Sequence, residues 1–287
     1  MLRGNVVKTV FYNENTQELE IPFDVLSKGV SYAEKNEFNS IKIINSIEKG
    51  SVGLDLTPLA GNNSISSVYI ADDVNLNKVD LSPLYEMNAI KKITMQYLKG
   101  KIEFSKFSAL ETLYITKADS EIDILNVNGL KDLLLVSTKN TDCGFISNLK
   151  ELESLRISSA KLKSLSGIES LCALKTLRIT YCPSLLDISG VNKIKNLSHL
   201  YVEKCKGLTD FSFLSGNESI RDLFLSDVDS LAFIPSMKSI ENIKFWNLKD
   251  GDMNFLFDAP TLKKVDFHPM KKNYTHKKDE INNIIGK

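Results

Sequence analysis

Between Leu162 and Cys205 the chain carries the same segment twice. Leu162, Leu165, Ile168, Leu171, Leu174, Leu177 and Ile179 lead to Cys182 three residues later. Leu185, Ile188, Val191, Ile194, Leu197, Leu200 and Val202 lead in the same way to Cys205, at an offset of 23 residues. Repetition at this period is the mark of a solenoid, whose turns cannot bury their apolar sides alone and must stack on their neighbours. Because a solenoid grows by adding turns, the 287 residues do not by themselves count domains.

The pattern L-x-x-L-x-L-x-x-(N/C) extends well beyond that segment. Its two strand residues fall at Ile41/Ile43, Val68/Ile70, Ile93/Met95, Leu113/Ile115, Leu133/Leu135 and Leu155/Ile157. They continue at Leu177/Ile179, Leu200/Val202, Leu223/Leu225, Ile243/Phe245 and Val265/Phe267, giving about eleven turns. Alternating apolar and polar residues in each copy predict a short strand buried on one face. The other half of each turn repeats its apolar residues every third position, which suits a 3₁₀ or turn-like return path; an α-helix would drift off such a stripe. The expected fold is therefore an α/β solenoid, with a parallel β-sheet on the concave face and 3₁₀ and turn segments on the convex face. At the spacing of stacked strands the array would be roughly 50 Å long.

Three segments follow from this register: an N-terminal cap over 1–37, the solenoid over 38–270, and a C-terminal cap or tail over 271–287. In the first, Val6–Tyr12 and Leu19–Phe23 read as strands around an Asn13–Gln17 turn, and Asp24–Lys35 as a polar helix. In the last, Ile281, Ile284 and Ile285 suggest a short closing helix with Asp279 as its N-cap. Lys271, Lys272, Lys277 and Lys278 form a basic cluster that reads as a solvated tail.

The repeats resemble leucine-rich repeats of the 22-residue, internalin-like class, from about residue 38 to 270 and most closely from Leu149 to Leu225. The resemblance implies a scaffold that binds proteins, with its sites grafted on the surface. Three features depart from the class. Internalins are exported and wall-anchored, whereas no signal peptide or anchor is evident here. The ladder Asn is replaced by Ser46, Asp73, Leu98, Ala118, Thr138, Ala160, Cys182, Cys205, Val228, Leu248 and Met270, so those turns must satisfy their backbone otherwise. The Pro-rich repeats and catalytic Cys domain of secreted bacterial ubiquitin ligases are also missing.

Charge narrows the partner. Lys plus Arg and Asp plus Glu both number 36, so there is no basic excess to favour nucleic acid or an anionic membrane. Four Cys without a CxxC pair make neither a disulfide framework nor a zinc site, and no run approaches a membrane span. A cytoplasmic address is expected, and the Lys-, Ile- and Asn-rich composition hints at a bacterial source. The sequons at Asn62, Asn196, Asn217 and Asn273 then read as chance. There is no HExxH, clustered Cys/His or Gly-rich phosphate loop, so no metal, no cofactor and no enzyme activity are expected. His199 and Glu203 read as a surface pair with no nucleophile or orienting group at a suitable register.

The same register names the outward residues. Tyr114, Leu134, Arg156, Arg178, Tyr201 and Phe224 lie between strand apolars, Trp246 two places further along, and Tyr181 beside them. Large aromatics and Arg facing solvent contribute little to a core and dominate binding hot spots. The expected function is capture of a protein partner on the concave face, with an immunity-type or regulatory inhibitor as a candidate role. Carbohydrate stacking is the alternative use of such aromatics. An enzyme on a β-helix is another, and would require Asp or Lys clustered at one register.

Overall fold

Each apolar pair set out above lies on a strand, and no member is more than 4 % exposed. The computed structural model describes residues 10–45, 53–118, 120–124 and 126–285. Two compact units divide the chain: Met1–Asp119 with Asn126–Leu133, and Ser120–Leu125 with Leu134–Lys287.

The first unit begins with a hairpin, β1 (Phe11–Asn13) antiparallel to β2 (Glu18–Pro22). Its turn is held by Asn13, whose Oδ1 accepts the Asn15 N–H at 3.1 Å. Parallel strands follow: β3 (Ser40–Ile44), β4 (Ser67–Ile70), β5 (Lys92–Tyr97) and β6 (Thr112–Ala118). In-register pairing sets Leu19 beside Ile41, Ile41 beside Val68, Val68 beside Ile93 and Ile93 beside Leu113. A register shift follows Met95, so that Gln96 faces Lys117. The part of the expected first strand before residue 10 and the ladder position Ser46 lie outside the described residues.

One strand escaped the repeat pattern. Leu19 and Ile21 pair with Ile41 and Ile43 just as the later copies pair with one another, at an offset of 22 residues. Its return path is α1 (Leu26–Lys35), which buries Leu26, Val30 and Ala33. Elsewhere in this unit 3₁₀ segments return the chain at Thr57–Leu59, Ser82–Glu86 and Phe104–Lys106.

The strand β7 (Asp132–Val136) has residues in both units. The second unit continues with β8 (Ser154–Ser158), β9 (Thr176–Thr180), β10 (His199–Glu203), β11 (Asp222–Val228), β12 (Asn242–Leu248) and β13 (Lys264–Phe267). Neighbours are parallel and in register, with Leu155, Leu177, Leu200, Leu223, Ile243 and Val265 in one row. The three-residue stripe yields 3₁₀ turns as its spacing requires, among them Ile168–Ser170, Ser189–Lys193 and Ser212–Leu214. One strand per turn is the leucine-rich-repeat plan and differs from the several strands per coil of a β-helix.

Without an Asn ladder the strand ends close in another way. Ser137, Ser159, Tyr181 and Lys204 all take left-handed backbone angles, with φ of 62°, 54°, 55° and 51°. The first three then donate their N–H to the carbonyl of the next turn: Ser137 to Ser158, Ser159 to Thr180 and Tyr181 to Glu203, at 2.9–3.0 Å. Lys204 N–H goes instead to the Ser226 hydroxyl, at 2.7 Å. Ladder residues Ala118, Thr138, Ala160, Cys182, Cys205, Val228 and Leu248 are buried, while Met270 is exposed.

The last described element is α2 (Lys278–Asn282), which begins two residues earlier than Asp279 as N-cap would set it. Lys277 is the N-cap, and its N–H is taken by the Glu280 carboxylate at 2.9 Å. Ile281 is fully buried and Ile285 nearly so, whereas Ile284 faces solvent. Two members of the basic cluster are engaged: Lys278 pairs with Asp266 at 3.0 Å and Lys271 bonds Asn247.

Candidate functional site

On the solvent side of the sheet in the second unit, residues between the strand apolars meet their counterparts in register. Arg156 on β8 lies beside Arg178 on β9, Arg178 beside Tyr201 on β10, and Tyr201 beside Phe224 on β11. Each is thus held about one strand spacing from the next, close enough for planar groups to stack. The Arg178 guanidinium carbon sits 3.9 Å from the Tyr201 ring centroid. Tyr201 and Phe224 stack with centroids 4.1 Å apart and planes 13° from parallel. Trp246 on β12 closes the row edge-on to Phe224, at 5.0 Å and 81°.

The stack corrects one expectation. Phe224 is only 7 % exposed, so it is not a solvent-facing anchor. It forms the hidden middle of the row, covered by Tyr201 and Trp246, and the outer surface belongs to those two and to Arg178. The sequence placed Phe224 on the correct face, but burial on a β-surface depends on cross-strand neighbours that an isolated position does not reveal.

The remaining predicted residues do not join this row. Leu134 is half-buried on β7 and Arg156 half-buried on β8. Tyr181 is 47 % exposed just beyond β9, and the Lys204 ammonium lies 5.0 Å from its ring centroid and 3.2 Å from its hydroxyl. Tyr114 belongs to the first unit, where its hydroxyl donates to Asp132 and the Lys92 ammonium lies 5.1 Å from its ring.

Electrostatics tie the row down. Tyr201 donates its hydroxyl to Glu203 Oε2 at 2.7 Å. Partial burial, reinforced by that carboxylate, pushes the phenol above its ordinary range, so Tyr201 is a neutral donor at physiological pH. Toward the start of the strands a groove of about 490 Å³ opens beside the stack, bordered by Arg178, Tyr201, Lys244 and Asp266. Lys244 and Asp266 are themselves paired at 2.9 Å.

His199 has different partners from those expected. Its Nε2 meets Asp222 Oδ2 at 3.0 Å and its Nδ1 meets the Ser198 hydroxyl at 2.7 Å, whereas Glu203 serves Tyr201. A hydroxyl and an orienting carboxylate therefore do flank the imidazole. The adjacent backbone donors are committed to the sheet: Ser198 and His199 N–H to Lys175 O, and Arg221 and Asp222 N–H to Ser198 O, at 2.9–3.1 Å. A hydrolytic triad needs free N–H groups converging beside its nucleophile, and these four are spent. The arrangement ties neighbouring strands together. The adjacent polar residues Ser198 and His199 were the sequence signal for it.

No group of three or more His, Cys, Asp or Glu suited to a metal ion occurs among the described residues. All four cysteines are free thiols, with Cys172 exposed and the others buried. Burial pushes the Cys143 thiol up. Cys182 and Cys205 are buried and direct their thiols to the Thr180 and Glu203 carbonyls at 3.4 and 3.5 Å, so both sulfurs act as small core groups. Two of the sequon asparagines, Asn62 and Asn217, are buried with their amide nitrogens bonded to Glu34 and Asn192, both at 2.8 Å.

No protein-family model matches the sequence, and no curated protein matches it either. Among solved structures, the chain is similar to a leucine-rich-repeat protein of Leptospira interrogans. The two are 16 % identical, with 87 % of this chain and 77 % of that one covered and a TM-score of 0.50. It is also similar to an internalin, InlF, of Listeria monocytogenes, at 12 % identity over 87 % of this chain and 92 % of that one, with a TM-score of 0.40. Internalin C2 from the same organism is 19 % identical over 69 % and 75 %, with a TM-score of 0.39. The likeness to the Leptospira protein is one of fold, and with one strand per repeat the chain is a leucine-rich-repeat array.

Proposed function

Starting from the leucine-rich-repeat fold, we propose that the chain is a non-catalytic protein-binding module that captures a protein partner on the concave face of its array. The observation that carries this is the row Arg178–Tyr201–Phe224–Trp246. Arg, Tyr and Trp are the side chains that most often anchor interfaces. Here each holds the next in place on a rigid strand, so little rotamer freedom remains to be lost when a partner docks. Tyr181, Arg156 and Leu134 border the surface, and Tyr114 is a separate contact in the first unit. The same proposal makes the protein a bacterial, cytoplasmic one, an immunity-type or regulatory inhibitor.

The same row weighs against carbohydrate. A sugar stacks on a bare ring face, and Tyr201 has Arg178 on the side of β9 and Phe224 on the side of β11. The committed N–H groups around Ser198 likewise favour binding over hydrolysis.

Affinity capture from the source cells tests the proposal. Arg178→Ala with Trp246→Ala is the informative variant, because Phe224→Ala would open a cavity in the stack and confuse binding with stability. The double variant should lose the protein that wild type recovers while melting within about 4 °C of it. Recovery of the same partner by the variant would overturn the assignment.

A further inference from the structure

Beyond the C-terminal ends of β9–β12 lies a second hollow, of about 670 Å³, bordered by Tyr181, Pro183, Lys204, Lys206, Thr209 and Lys249. Its charge is set by a register position that the aromatic row does not use. The residue directly after the ladder position is lysine in five of the seven turns from Thr138 to Met270, namely Lys139, Lys161, Lys206, Lys249 and Lys271. Parallel in-register stacking lines such a position up along one rim of the sheet.

The carboxylates at this rim, Asp227 on the border of the hollow itself and Asp229 beside Lys249, each already have hydrogen-bond partners. Asp227 accepts from the Ser226 hydroxyl at 2.8 Å and from Asn247 Nδ2 at 3.0 Å. Asp229 accepts from Thr209 at 3.0 Å and pairs with Lys249 at 2.6 Å. Lys204 and Lys206 are exposed, and among the described residues neither lies within ion-pair distance of a carboxylate. Lys204 instead donates to the Tyr181 hydroxyl, which leaves the phenolic hydrogen available to an acceptor in the hollow.

Backbone conformation draws attention to the same two residues. The left-handed position is filled by small Ser137 and Ser159 in two turns, but by Tyr181 and Lys204 in the next two. A bulky side chain there is strained, and such strain is more often kept where a side chain must be presented. Tyr181 is also the most exposed aromatic residue of the second unit.

We infer that this hollow receives a carboxylate-rich segment of a protein partner, with an Asp or Glu side chain seated against Tyr181 between Lys204 and Lys206. The inference rests on the protein-binding reading above and adds the chemistry of the bound segment. A polyphosphate fits less well. The column of lysines is interrupted by Pro183 and Asp229, and a chain with zero formal net charge has no long-range field to gather a nucleic acid.

A fluorescent oligoglutamate peptide and an equally labelled single-stranded RNA, each titrated into the full chain at low and high salt, test this by anisotropy. The peptide should bind at low salt and weaken as salt rises. Lys204→Glu with Lys206→Glu should reduce its affinity by at least about tenfold through charge reversal. Lys204→Gln with Lys206→Gln repeats the test should the reversal disturb folding, and Lys28→Glu with Lys35→Glu on α1 serves as the unaffected control. Arg178→Ala with Trp246→Ala should leave peptide binding intact, so failure of the aromatic row and failure of the basic rim are told apart. No peptide binding at low salt, equal binding by the rim variants, or tighter binding of RNA than of peptide would each overturn the inference.

Discussion

At the scale of single residues, the return path of most turns starts from one aspartate. Asp55, Asp80, Asp142, Asp187, Asp210 and Asp252 each accept the N–H two residues on, at 2.8–2.9 Å. Hydrogen bonds from the following Thr or Ser hold Asp55, Asp80 and Asp187 below the usual carboxylate range. A carboxyl whose folded pKa is depressed contributes stability above its unfolded pKa and loses it as pH falls through the folded value. Stability should therefore decline below about pH 4. In Asp187→Ala it should be lower at neutral pH by roughly 0.5–2 kcal/mol and flatter in acid. Urea unfolding of both proteins from pH 7 to pH 3 measures this, and parallel curves would contradict it. The signal stood in the sequence as DLTPL, DLSPL, DISGV and DFSFL, one position away from the leucines that drew the eye. It was obscured because Ser164 and Ser230 occupy the same place in other turns and accept more loosely, at 3.4 Å.

Among elements, the strands were legible and the ends were not. A strand buried on one face announces itself by alternation within its own residues, which is why all eleven apolar pairs fall where the register puts them. Phe224 and His199 were misjudged because their surroundings come from β10, β11 and β12 together, at distances in sequence that only the fold brings to contact. The helix α2 is a similar case. Asn282 Oδ1 accepts the Val265 N–H and its Nδ2 donates to the Val265 carbonyl, both at 2.8 Å, so one amide side chain pairs with β13 as a strand residue would. Nothing in the string EINNIIGK marks one Asn over the other, since the choice depends on how the helix lies against the strand. Asn282→Ala should cost about 1–3 kcal/mol by leaving two backbone groups unpaired. Hydrogen exchange at the Val265 amide should quicken more than at Leu223, and equal protection in both proteins would refute the capping role.

For the molecule as a whole, the core of the second unit is a column of residues stacked turn on turn, with Cys182 and Cys205 in it and Cys143 buried alongside. Each repeat is stabilised chiefly by its neighbours, so local opening exposes little of the column. Thiol titration with a chromogenic disulfide should find Cys172 reactive in the native protein. Cys143, Cys182 and Cys205 should respond only as denaturant unfolds the chain. Rapid labelling of any of the three without denaturant would show that the column opens more readily than its packing implies.

The Asn282 amide carries a last consequence, for how a chain of this kind can lengthen. With the Val265 N–H and carbonyl both taken by one side chain, that residue of β13 offers no free backbone pair to a further strand, whereas a copy inserted between interior strands meets an open edge on either side. The two best-matched copies, Leu162–Cys182 and Leu185–Cys205, do lie well inside the array. Their interior position is the place where growth by copying leaves both neighbours able to receive the newcomer, and it is also where Arg178 and Tyr201 of the aromatic row and Tyr181 and Lys204 of the basic rim are found.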